Sequence, residues 1–178
     1  MTNDYMQQIV RGEKNYEFRR YRIATSVKRI WFYLNAPLSH IGYICEIGPA
    51  RTRNSGDEQL DEDGLGNKEF NERHKDWDGY DYAYRVRSVY RLIEPVSLSD
   101  LKFKYGIKGA PRGLVYTPDA LKQAVSWKEQ KHVWSGAPAI PAPATVVTGG
   151  KRKIEDYMQS KSAKKPVSPV HFLAWSTS

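Results

Sequence analysis

The chain has 178 residues, one ordinary domain or one domain plus a tail, and a formal charge of +8 from 28 Lys and Arg against 20 Asp and Glu. No apolar run approaches the roughly 18 residues a bilayer span needs, and the opening Met1-Thr-Asn-Asp-Tyr5 has neither the basic nor the apolar region of a secretory signal, so neither a membrane protein nor a secreted one is expected. The single cysteine, Cys45, excludes an internal disulfide and fits a reducing compartment, and His40, His74, His132 and His171 lack metal-ligand spacing, so no metal and no cofactor is expected.

Along the chain, Asp4–Val10 reads as a short helix with Tyr5, Met6, Ile9 and Val10 on one stripe and Gly12 as its stop. Asn15–Arg19 alternates Tyr16 and Phe18 against Glu17 and Arg19, the period of a half-buried strand. Arg29–Leu34 is a strong strand ending at Asn35-Ala-Pro37, and His40–Ile47 is the next. Residues 48–80 form an acidic insertion: 56–81 alone holds ten acidic and three basic residues, and a short helix is expected over Asn67–Trp77. Its Asp57, Asp61 and Asp63 do not have EF-hand spacing, so it reads as a solvated rim. Tyr80–Leu92 is a long strand. Ser97 caps a short helix, Leu114–Tyr116 is a short strand, and Thr117 with Pro118 opens a helix to about Gln130.

After Trp134 the composition changes. Ser135–Gly150 is Pro-, Ala- and Gly-rich without periodicity, which marks 1–134 as the folded domain and 135–178 as a disordered linker and basic tail. The element order predicts a mixed α+β unit with mostly antiparallel strands.

Gly12-Glu-Lys14-Asn-Tyr-Glu17-Phe-Arg19 resembles the GxKxxExR signature of the ASCH family in the PUA-like superfamily, and the likeness of element order extends over roughly 4–126. The resemblance implies a small PUA-like mixed β-barrel with flanking short helices and a cleft lined by the signature residues. It also implies binding of RNA or of a modified nucleoside within it. Some ASCH relatives hydrolyse N4-acylated cytidines with the lysine matching Lys14; where Glu17 stands here those enzymes have threonine. An amidohydrolase with Lys14 and Glu17 as its catalytic pair is therefore the alternative activity. By charge alone, Glu17 and Arg19 share one strand face and form either a ligand site or a structural ion pair.

In the cleft, the expected ligand-binding set is Lys14, Glu17 and Arg19 with Trp31, Tyr33 and Asn35, the rings stacking a base while the cations meet phosphate or base acceptors. The segments Phe18-Arg-Arg-Tyr-Arg22, Lys28-Arg-Ile-Trp-Phe-Tyr33 and Tyr84-Arg-Val-Arg-Ser-Val-Tyr-Arg91 interleave rings with guanidinium groups in the same sense, unless the rings are core and the arginines merely solvate the outer face. In the tail, Lys151-Arg152-Lys153 and Lys164-Lys165 are spaced as in a bipartite nuclear import signal, so an import receptor is an expected partner and a nuclear location is favoured over a cytoplasmic one. Ile154 and Tyr157 fall in a degenerate sliding-clamp interaction box, which makes a nuclear adaptor the third reading.

Overall fold

The computed structural model describes residues 1–111 and 113–136, and the backbone of 173–176. The elements in chain order are α1 (Asn3–Val10), β1 (Tyr16–Arg19), β2 (Val27–Leu34), β3 (His40–Thr52), α2 (Asn67–Asn71), β4 (Tyr82–Ser97), α3 (Leu98–Phe103), α4 (Asp119–Ala124), β5 (Lys131–Ser135) and β6 (Leu173–Ser176). All pairings are antiparallel, in the order β1-β4-β3-β2-β6, with β5 also paired to β4.

The sixteen-residue β4 organises the sheet. One of its edges pairs with β3 from Tyr82 to Ser97. Its other edge carries two short strands in succession, β1 against Tyr82–Arg85 and β5 against Ser88–Arg91. The expected barrel is not formed: the sheet ends at β1 and β5 on one side and at β6 on the other, and these edges do not pair among the described residues. A four-residue β1 that stops at Arg19 has no length left to bend round and meet β2 or β6.

Alternation along β2 separates two apolar layers. Ile30, Phe32 and Leu34 face a cluster with Met1, Met6, Ile9, Tyr43, Cys45, Tyr84 and Val86, over which α1 lies. Trp31 and Tyr33 face the other way, into a cluster with Ile41, Ile44, Leu92, Val96, Leu101 and Leu121 that α3 and α4 cover. The turn after β2 contains a cis Ala36–Pro37 bond.

The insertion differs from expectation in both length and character. β3 continues to Thr52 and β4 begins at Tyr82, so the excursion is shorter than 48–80. It is not merely solvated: Leu60 and Phe70 are buried with Tyr16, Phe18 and Ala83, and Trp77 and Tyr80 pack at the margin of this third cluster. Phe18 meets the edge of Trp77 at 4.6 Å between centroids and lies 5.2 Å from Phe70.

Two further corrections concern the C-terminal half, and two short strands lie there. Leu114–Tyr116 is not a strand. Thr117 does not cap α4, which starts after Pro118 and ends at Ala124, with a separate 3-10 turn at Trp127–Glu129. Ser135 closes β5, and the backbone of Leu173–Ser176 pairs with β2, within the stretch read as tail.

Candidate nucleic-acid interface

Gly12, with φ +77°, ends α1 and turns the chain into the octapeptide, where Asn15 leads into β1. Strand alternation sends Tyr16 and Phe18 to the insertion. Glu17 faces the first core layer, where it acts electrostatically on the Cys45 thiol and the Met1 amine. Arg19 Nη1 lies 2.8 Å from Glu17 Oε1, and Lys14 Nζ lies 3.3 Å from Glu17 Oε2. Lys14 also donates to the Tyr16 carbonyl and sits 4.6 Å from the centre of the Phe18 ring, while Arg19 donates to the Phe18 carbonyl at 3.0 Å.

All three charged side chains are interior: Lys14 is 8% exposed, and Glu17 and Arg19 are each 4%. Burial pushes the Lys14 amine below its ordinary range; Glu17 partly restores it and Arg19 depresses it further. Burial likewise lowers the Arg19 guanidinium and raises the Cys45 thiol well above normal. The structure thus joins Lys14, Glu17 and Arg19 as the sequence predicts, but as an internal ion network.

The insertion is tied to the octapeptide through a polar clasp. Asn15 Nδ2 donates to Asp63 Oδ1 at 2.7 Å, and Asn67 Nδ2 donates to Asn15 Oδ1 at 3.0 Å and to the Asp61 carbonyl at 2.6 Å. The Leu65 amide donates to the Glu13 carbonyl at 2.8 Å. The clasp leaves no room to spare: a Cβ on Gly64 would lie 2.2 Å from Asn15 Oδ1. No pattern of periodicity announces these contacts, because they are made by asparagines and loop backbone.

Trp31 and Tyr33 are not brought to the network. At 4% and 3% exposure they are core residues of the other layer, so a base cannot stack on them without repacking it. Asn35 instead pins the chain start: its Oδ1 and the Tyr33 carbonyl accept from the Met1 amine at 3.2 and 2.9 Å. Burial lowers that amine to about 5, with Glu17 raising it and Arg19 lowering it by smaller amounts. The import clusters Lys151, Arg152, Lys153, Lys164 and Lys165, and the box residues Ile154 and Tyr157, lie outside the described residues.

The interleaved segments resolve in the same way. Most of their rings turn inward, with Phe18, Trp31, Tyr33 and Tyr84 buried, whereas Tyr21 is exposed between Arg20 and Arg22; these two, Lys28, Arg87 and Arg91 remain at the surface. An open groove that sequence inspection does not reveal runs beside the bulge where β3 slips its register on β4 between Ile47 and Ala50. It has a volume of about 330 Å³, and Arg51, Arg85 and Arg87 line it with Tyr16, Gly48 and Gly136. A positional signal existed, in that Arg85 and Arg87 are two apart on one strand and so share a face.

The chain is similar to three crystal structures of ASCH from Zymomonas mobilis. One is 19% identical, with a TM-score of 0.45 over 63% of this chain and 80% of that one. Two single-substitution mutants of the same protein give 20% identity and a TM-score of 0.44 over the same shares, and 19% and 0.39 over 57% and 75%. No family model and no curated protein sequence matches the chain.

Proposed function

We propose that the protein is an RNA-binding module that holds its ligand chiefly by the phosphate backbone. The observation that carries this reading is the outward placement of Arg20, Arg22, Arg87 and Arg91 beside rings that, Tyr21 excepted, are mostly core. A surface whose cations are exposed and whose aromatic rings are mostly core neutralises phosphates with little stacking platform, so affinity is chiefly electrostatic and weakly dependent on base sequence. The octapeptide's resemblance to the ASCH signature favours RNA over DNA. The Lys14–Glu17–Arg19 network is interior, so a nucleoside reaches it only if the surrounding structure opens.

Fluorescence anisotropy with a labelled single-stranded RNA tests the reading. The logarithm of the binding constant is expected to fall linearly with the logarithm of salt, and the Arg20→Gln/Arg22→Gln double variant to bind more weakly with a shallower slope. Binding that is absent, or indifferent to salt, sinks it.

One observation favours a second reading, hydrolysis of an N4-acylated cytidine: the burial-lowered Lys14 amine beside Glu17. Such an amine, when neutral, takes a proton from water as the water oxygen bonds to the acyl carbon. The bond to N4 then breaks and N4 takes the proton, leaving cytidine and the free acid, which releases its own proton to solvent. Absorbance of N4-acetylcytidine reads turnover, which Lys14→Met should abolish; no turnover by the unaltered chain removes this reading.

A further inference from the structure

The groove beside the β3 bulge brings three guanidinium groups to one place. Arg85 and Arg87 occupy alternate positions of β4, roughly 7 Å apart along the strand, on the face that Tyr16 shares. Arg51 reaches the groove from β3, just past the bulge. The floor is open because residue 48 is glycine: a Cβ there would lie 3.4 Å from Arg87 Nε and 3.7 Å from Arg85 Cβ, projecting between the two arginines.

Two of the three arginines already hold anions. Glu58 Oε2 lies 2.9 Å from Arg51 Nη2, which also donates to the Glu58 carbonyl at 3.1 Å, and Asp63 Oδ2 lies 3.7 Å from Arg85 Nη2. Both carboxylates come from the acidic insertion. Arg85 is further held by the Tyr16 hydroxyl, and Tyr16, Asp63 and Asp61 all favour its charged form. Arg87 is exposed and forms no salt bridge among the described residues; its backbone carbonyl accepts from the Gly136 amide at 2.7 Å.

We propose that this groove is a phosphodiester-binding site in which Arg51, Arg85 and Arg87 take successive phosphates of one RNA strand, and that Glu58 and Asp63 of the insertion, which pair with Arg51 and Arg85 from beside the groove, are internal competitors for two of its donors. This rests on the RNA reading above and deepens it by assigning the backbone contact to one place. The chemistry agrees on each point. Guanidinium groups at alternate strand positions present two-pronged donors in a row, matched to phosphate oxygens. Carboxylates on two of the same donors show that these guanidinium groups are available to anions. An ion pair as exposed as Arg51–Glu58 is weak, so a polyanion can displace it. Each displaced carboxylate also takes the place of a released counterion, so the insertion lowers both the affinity and its salt dependence.

The test uses the full chain and a fluorescein-labelled single-stranded RNA oligonucleotide, with anisotropy read over a salt series and thermal melting as a fold control. The basic tail adds the same contribution to every variant. Arg87→Gln is expected to weaken binding and to reduce the magnitude of the salt slope by about 0.7, the value of one lost single-strand phosphate contact. Gly48→Leu is expected to weaken binding with no change of charge, because its side chain fills the floor while its backbone angle lies outside the left-handed region. Glu58→Gln is expected to tighten binding about two- to fivefold and to steepen the slope. That gain should vanish in an Arg51→Gln background, as a shared interaction requires.

If the unaltered chain binds RNA in a salt-dependent way while Arg87→Gln and Gly48→Leu bind as it does, the groove assignment fails and the RNA reading stands. If those two weaken binding but Glu58→Gln changes nothing, the claim of internal competition is overturned. If the unaltered chain does not bind, both the reading and the site fall.

Discussion

Replacing Glu17 by Gln removes one charge and leaves two cations in the interior. The two carboxylate oxygens hold Arg19 at 2.8 Å and Lys14 at 3.3 Å, and the side chains are only 5%, 5% and 11% exposed, so water compensates little. Breaking a buried ion pair from one side costs about 3–5 kcal/mol, because the remaining charge is stranded in low dielectric. Here the cost is taken roughly once, since Lys14 can give up its proton whereas Arg19 cannot. For a folded unit of this size each kcal/mol moves Tm by roughly 3–5 °C, so a loss of about 10–20 °C is expected. The deficit should depend on pH in a definite direction. Lys14 titrates in the unfolded chain near 10.5 and lower in the folded one, so between those values the unfolded state binds more protons and stability rises with pH. Without Glu17 the folded value falls further, so the gap between variant and parent should narrow as pH climbs towards 10.5. Urea unfolding followed by tryptophan fluorescence from pH 7 to pH 10 measures both effects. A loss below about 1 kcal/mol at pH 7, or a gap that widens on the alkaline side, would mean that the network is solvated and that the reasoning is wrong.

Asn67→Ala removes a fully buried amide that ties Asn15 and the Asp61 carbonyl together. It should cost about 1–3 kcal/mol in urea unfolding and make 57–80 the first site of limited proteolysis. Phe70→Ala empties the centre of the third apolar cluster and should cost about 3–5 kcal/mol by the same measurement. The Cys45 thiol, buried and raised well above its ordinary value, should react with a thiol reagent only at the rate of global unfolding; fast labelling of the folded chain contradicts this. A chain ending at Gly136 keeps β5 and should retain cooperative melting. It loses the strand on the outer edge of β2, and size-exclusion chromatography should show more self-association.

What the sequence disclosed follows from periodicity. β1 to β4 are legible because Tyr16/Phe18, Ile30/Phe32/Leu34 and Tyr84/Val86 alternate cleanly, and α3 because Ser97 caps it, its hydroxyl accepting from the Asp100 amide. Periodicity does not say which of two buried faces a residue takes: Trp31 and Tyr33 look like cleft rings because both faces of β2 are apolar, and only the pairing of β3 and β4 assigns them to the α3/α4 side. Barrel closure was illegible for a related reason, as it depends on whether edge strands have length to spare. β5, Lys-His-Val-Trp-Ser, has two apolar residues in five and gives almost no signal; it exists because β4 offers it an unpaired edge. The octapeptide identifies the residues of the charged network but not its depth, and the acidic composition of the insertion likewise conceals the buried Leu60 and Phe70.

That one edge of β4 is shared end to end by β1 and β5 bears on the order in which the molecule is assembled. The β2–β3 hairpin pairs Phe32 with Tyr43, close neighbours in the chain, whereas Tyr16 meets Arg85 across 69 positions. Closing that larger loop costs entropy that only the finished contact repays. The β2–β3 hairpin can therefore form while the octapeptide is still solvated, with Glu17 and its two cations in water. Docking of β1, closure of the insertion and dehydration of three charges then become a single late event. The segment with the most chemistry is in this sense the last to join the fold and the first to leave it, and hydrogen exchange at Glu17 and Arg19 should run ahead of exchange at Ile44 and Cys45.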